Sequence, residues 1–201
     1  MDPDGREIGD YYNFKGEWLG TDNKRDGKIY FGESIANRKV STCYNDLYYA
    51  QQDYDLSIGT PESSMEFATV LQSGEIEHYK SSSSAGDQVR VNAGSTTENP
   101  SGTFEHSHPI NFANGYAGPE LLSNKDIESF KYFQLNIVVG QTIPEDAYSM
   151  RIPMCCFYDC NSTLLGSIEM KDLKKVIADQ FVRNNMLIVP TELLIKEHLE
   201  R

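Results

Sequence analysis

A chain of 201 residues with 39% hydrophobic and 11% aromatic side chains carries enough apolar material for one medium-sized domain, and too much for a wholly disordered polymer. Its 30 acidic residues outweigh 18 basic ones, and the net charge of −12 repels nucleic-acid phosphates and anionic lipid surfaces, so neither is an expected partner. No run of about 18 apolar residues is present to span a bilayer, and Met1-Asp2-Pro3-Asp4-Gly5 lacks the basic-then-apolar pattern of a signal peptide. Cys43, Cys155, Cys156 and Cys160 contain no CxxC pair, which argues against a cysteine zinc site and a disulfide framework.

The first thirty residues read as hairpin. Tyr11-Tyr12-Asn13 and Glu17-Trp18-Leu19-Gly20 flank a Lys15-Gly16 turn, and Asp26-Gly27 precedes Lys28-Ile29-Tyr30-Phe31. Asp22, Asp26 and Gly27 resemble a calcium loop only faintly, because the alternating ligands and the closing glutamate are missing; turn chemistry accounts for them better. Leu47, Tyr48, Ala50 and Tyr54 suggest a helix or an irregular aromatic segment, forming core or a lid. Residues 66–71 then read as a strand, Ser73-Gly74 as a turn, and Glu75-Ile76-Glu77-His78-Tyr79 as a second strand of alternating polarity.

Residues 81–86 and 92–102 are loop-like in composition, with a brief Val89-Arg90-Val91 strand between them. A strand from Gly102 ends in His106-Ser107-His108-Pro109. Ser123 has the character of a helix N-cap with Asp126 at the third helical position. Residues 133–140 form an apolar run expected as a buried strand. Met150 to Phe157 reads most simply as a buried strand too, with its clearest part at 154–158 and Cys155 and Cys156 as buried thiols; residues 164–168 return as a hairpin. Helices are expected over 171–183 and from 191 to the end. The interleaving of strands and helices gives an α/β class with a mixed sheet.

The chemistry concentrates in His106-Ser107-His108. Strand side chains alternate with a period of two, so both imidazoles fall on one face. A catalytic zinc centre needs a third ligand and an open position, and Asp126, in the first turn of the following helix, can supply that ligand. Ser123 sits one turn earlier, beside it. Glu105 alternates to the opposite face, where a solvated charge is its simplest role. His78 and His198 suggest nothing beyond structural or surface positions.

His106-Ser107-His108-Pro109 followed by Ser123-x-x-Asp126 resembles the JAMM motif of the JAB/MPN metallopeptidases. The resemblance runs from about Glu62 to Val139. It implies a JAB/MPN-like (cytidine-deaminase-like) mixed sheet flanked by helices over residues 41–201, with residues 1–40 as an N-terminal hairpin appendage. It also implies a zinc ion held by His106, His108 and Asp126, a glutamate base on an earlier strand, and Ser123 as oxyanion donor. Glu66, about forty residues upstream, matches the place of the base best, with Glu62, Glu75 and Glu77 as competitors. One departure stands out: fourteen residues separate His108 from Ser123, twice the family's usual spacing, and the extra 112–119 segment is expected as a rim over the cleft. Glu128, the nearest rival to Asp126, points away on the helix.

The implied activity is hydrolysis of an amide bond in a protein or peptide by a zinc peptidase or isopeptidase. The alternative is a non-catalytic MPN-type binding scaffold. A deaminase is disfavoured, since no Pro-Cys-x-x-Cys follows and position 108 is histidine where that chemistry needs its glutamate. Met1-Asp2-Pro3-Asp4-Gly5 and the stretch from Asp10 to Tyr30 resemble the junction that follows the Rhs (YD-repeat) core in bacterial polymorphic toxins. That resemblance implies secretion or delivery into a neighbouring cell, with a cognate immunity protein as a further partner.

Overall fold

The computed structural model describes residues 9–22, 24, 26–59, 65–81, 91–108, 118–142 and 150–183. The expected N-terminal hairpin is present as β1 (Asp10–Tyr12) and β2 (Trp18–Thr21). The Asn13 side-chain oxygen accepts from the Lys15 and Glu17 amides, and Gly16 takes the positive φ that closes the turn. Asp22 and Asp26 make the same kind of turn bond, to the Lys24 and Lys28 amides, and account for their spacing without a calcium ion. β3 (Ile29–Ser34) pairs in parallel with β1, and β4 (Asn37–Thr42) pairs antiparallel with β3, giving a mixed four-stranded sheet of order β2-β1-β3-β4.

The aromatic segment is a helix, α1 (Tyr44–Gly59), started by Asp46, whose carboxylate accepts from the Thr42 hydroxyl and the Cys43 amide. Tyr54 lies in the core and Tyr48 at the surface. β5 (Phe67–Gln72) and β6 (Glu75–Lys80) form a hairpin whose two turn residues, Ser73 and Gly74, both have positive φ, the turn that matches the twist of paired strands. β7 (Thr103–Ser107), α2 (Asn124–Phe130) and β8 (Leu135–Gln141) make a strand–helix–strand crossover, and β7 and β8 are parallel as such a connection requires. β9 (Pro153–Asp159) and β10 (Leu164–Glu169) close the six-stranded sheet β10-β9-β8-β7-β5-β6, and α3 runs over residues 170–183.

The two faces of this sheet carry separate cores. On one, Ile137, Val139, Cys155, Phe157 and Ile168 meet α1, α3 and the small sheet, whose Tyr12, Ile29, Phe31 and Val40 enter the same cluster. On the other, Ala68, Val70, Phe104, Val138, Cys156 and Tyr158 pack beneath Phe130 of α2 and Phe133. The architecture is therefore α/β, two mixed sheets flanked by helices.

Two sequence expectations are corrected. Met150 is 87% exposed and residues 151–154 are half-buried or exposed, so the buried part of the strand begins only at Cys155. Glu105 is not solvated: it does turn to the opposite face from His106, but α1 covers that face and leaves the carboxylate fully buried. The expected strand at 89–91 is not formed at Val91, whereas 89 and 90 lie outside the described residues. Also outside them are Glu62, Pro109, Phe112 to Ala117 of the expected rim, His198 and the helix from 191.

Candidate metal centre

Strand alternation and pairing register assemble the site. Ala68 of β5 is opposite His106 of β7, and this antiparallel register, carried two residues past the paired strands, sets Glu66 level with His108, whose imidazole its charge reaches. Directly opposed residues share a face, which places Glu66, His106 and His108 on the α2 side. Glu75 and Glu77 lie one strand further out on β6, exposed to solvent. Phe104, two residues before His106, stacks on its ring with centroids 4.9 Å apart, and Phe130 approaches edge-on at 5.9 Å. Ala68 leaves the width that the imidazole fills.

α2 delivers the carboxylate. Ser123 is its N-cap: the Ser123 Oγ accepts from the Asp126 amide at 3.2 Å, and the Asp126 Oδ2 accepts from the Ser123 amide at 2.6 Å. This reciprocal box orients Asp126 toward the strand. At the other end, the buried Asn136 amide donates to the Phe130 carbonyl and so fixes the helix over the sheet. Glu128 is exposed on the same helix.

The Nε2 atoms of His106 and His108 face each other at 3.2 Å. Asp126 closes the triangle, with Oδ1 3.3 Å from the first and Oδ2 3.6 Å from the second. Metal–nitrogen bonds of about 2.0–2.1 Å in a tetrahedral shell imply ligand–ligand edges of roughly 3.3 Å. His106, His108 and Asp126 can therefore hold a metal ion, and they are the one such group among the described residues.

The electrostatics agree with a site built for positive charge. Burial alone would raise the Asp126 carboxyl, yet its bonds to His106 and His108 outweigh it and hold the group far below the usual carboxylate range. Burial alone would lower His108, but the Asp126 carboxylate, the Gly118 carbonyl and Glu66 together leave it raised. The His108 Nδ1 donates to that carbonyl at 3.0 Å, so in the neutral ring the Nε2 lone pair faces the triangle.

His106, His108 and Asp126 come together with Ser123 as the cap beside Asp126, and the Glu66 charge reaches His108. Sequence reasoning missed the supporting shell: Ala68, the Gly118 carbonyl, Tyr158 and Gly140, the last without a side chain where His108 and Pro119 crowd in. The one signal available for it was a glycine ending an otherwise apolar strand. Comparison with known proteins yields no matching family model, no similar curated protein and no similar solved structure.

Proposed function

We propose that the chain is a zinc-dependent hydrolase of the JAMM type, cleaving an amide bond in a protein or peptide. The observation that carries this reading is the convergence of His106 Nε2, His108 Nε2 and the Asp126 carboxylate, with the nitrogens 3.2 Å apart and one ligand atom from each residue within 4.8 Å of the others, beside a Glu66 whose charge reaches His108. Two imidazoles and a carboxylate suit zinc, and three protein ligands leave a position for water. When bound there, zinc supplies a Lewis acid and lowers the pKa of a coordinated water.

The chain's own groups do the rest. Glu66 takes the proton of the attacking water and passes it to the departing amine. Ser123 donates a hydrogen bond to the oxygen on which charge develops. Phe104, Phe130 and Ala68 exclude solvent around His106 and keep its ring from turning. The JAB/MPN fold assignment rests on the same motif order and on a sheet in which β7 ends at the two histidines and α2 opens at the serine.

The N-terminal likeness to the Rhs junction supports a further part of this proposal, delivery as the cargo of a larger bacterial protein with an immunity protein as partner. No helix among the described residues is long and apolar enough to cross a membrane. The test is metal content: about one zinc per chain in the purified protein, and none in His106→Ala/His108→Ala, justifies assays on peptide and isopeptide substrates with Glu66→Gln as the inactive control. A wild type that stays metal-free in excess zinc removes the hydrolase reading and leaves a binding scaffold.

A further inference from the structure

We propose that Tyr158 is a positioning residue for the metal centre, acting on His108 through the Gly118–Pro119 segment. The inference rests on His106, His108 and Asp126 binding a metal. A hydrogen bond to the far nitrogen of an imidazole fixes the ring so that Nε2 faces a metal, and His108 uses the Gly118 carbonyl for this. A carbonyl orients a ring only as well as it is itself held. Gly118 and Pro119 lie outside every helix and strand, and open the turn that leads to α2.

Tyr158 supplies the anchor. Its hydroxyl, buried and 39 positions away in sequence, donates to the Pro119 carbonyl at 2.8 Å. The tyrosine stands on β9, inside the sheet, and its ring packs against Phe130 with centroids 5.6 Å apart. The Gly118 carbonyl accepts a second bond, from the Leu121 amide at 2.9 Å, so both of its lone pairs are directed. The proline ring limits φ at the anchored residue.

β8 completes the cradle from below. The His108 amide donates to the Val139 carbonyl at 2.8 Å, which holds the backbone under the imidazole. At Gly140 a Cβ would meet the His108 Cβ and the Pro119 Cδ, each at 3.3 Å. The bare backbone there lets the histidine and the proline segment lie against the strand together. β8, β9 and the 118–119 segment thus hold His108 from the side opposite Asp126.

Cobalt(II) titration of the full chain followed by its visible absorption tests this, because that spectrum reports ligand geometry directly. Tyr158→Phe keeps the ring and its packing and removes only the hydroxyl. The expected result is an unchanged metal-free melting temperature, roughly tenfold weaker cobalt binding, and an altered absorption envelope. His106→Ala/His108→Ala serves as the blank. Cobalt binding of equal strength with an identical spectrum in Tyr158→Phe overturns the inference while leaving the metal-centre reading intact; a wild type that takes up no cobalt overturns both. Where Tyr158→Phe also lowers the metal-free melting temperature, the titration is run well below its melting transition, and an absorption envelope identical to that of wild type at saturating cobalt overturns the inference.

Discussion

Glu105 and His106 are adjacent in sequence, sit on opposite faces of β7, and are both sealed from solvent. One enters the candidate metal centre and the other enters a pocket of acids under α1. Among the described residues neither Glu105 carboxylate oxygen has a hydrogen-bond partner. The groups facing it are Asp46 and Asp53 of α1, Cys43 at the helix start and Cys155 of β9.

That pocket makes stability depend on pH. Burial, then the charges of Asp46 and Asp53, raise the Glu105 carboxyl well above its usual value; burial raises Asp53 to about 7 against a hydrogen bond from Thr69. Both folded-state values exceed the unfolded ones, so above about pH 4 these two groups hold more protons in the folded chain than in the unfolded one. The stability they contribute is fully present below that point and is lost as pH rises, by at most about 1.4 kcal/mol per pH unit for each group within its window. Glu105→Gln should raise the urea midpoint at pH 8 more than at pH 5 and flatten the profile between them. Equal shifts at both pH values would show that Glu105 does not titrate differently on folding.

Ser123 and Asp126 share one capping box, and substitutions at the two should separate helix capping from metal binding. Ser123→Ala removes the oxygen that accepts the Asp126 amide and should cost about 1 kcal/mol in urea unfolding of the metal-free chain. Its zinc affinity should change little. Asp126→Asn keeps an oxygen for the Ser123 amide and removes the negative charge facing two histidines. It should weaken zinc binding by at least about a hundredfold, a larger effect than loss of a supporting group. Competition titration with a chelating dye reads both, and a Ser123→Ala loss as large as that of Asp126→Asn would contradict the division.

Much of the site could be read from the chain because its signals are local. Two histidines at a spacing of two, and a serine three positions before an aspartate at a helix start, define their own geometry before any tertiary contact is known. Glu66 is different. Its place beside His108 depends on the β5–β7 register, which sequence does not reveal, so Glu62, Glu75 and Glu77 stayed in contention. The burial of Glu105 depends on α1 lying over β7, and a glutamate beside a motif gives no sign of that. Tyr158 acts on a backbone carbonyl of a distant loop, a partner that carries no residue-type signal at all. The misreading at Met150 has the same origin, since hydrophobicity alone does not show where a strand leaves the sheet.

Gly166 of β10 tests how the N-terminal sheet is joined to the rest. A Cβ there would fall 2.1 Å from the Phe14 ring, which stacks on Phe31 in the shared core. Gly166→Ala should therefore destabilise by about 1–3 kcal/mol, as overpacking does. In a Phe14→Ala background the same substitution should cost much less, and the double-mutant cycle measures the difference. Additive effects would mean that Phe14 and Gly166 do not constrain one another.

Gly140 distinguishes the fold from the site. Replacing glycine inside a strand ordinarily favours folding by lowering the freedom of the unfolded chain, by about 0.4–1 kcal/mol. At this position the added methyl must displace either His108 or Pro119 by a few tenths of an ångström. Gly140→Ala should then leave the metal-free melting temperature within a few degrees of wild type while zinc binding weakens by about tenfold. The strand can absorb a small shift of its neighbours, whereas a ligand triangle with edges of 3.2–3.6 Å has little tolerance for one. Calorimetry of the metal-free chain beside zinc titration gives both numbers, and a variant that loses stability but keeps its affinity would place the constraint in the core instead of at His108.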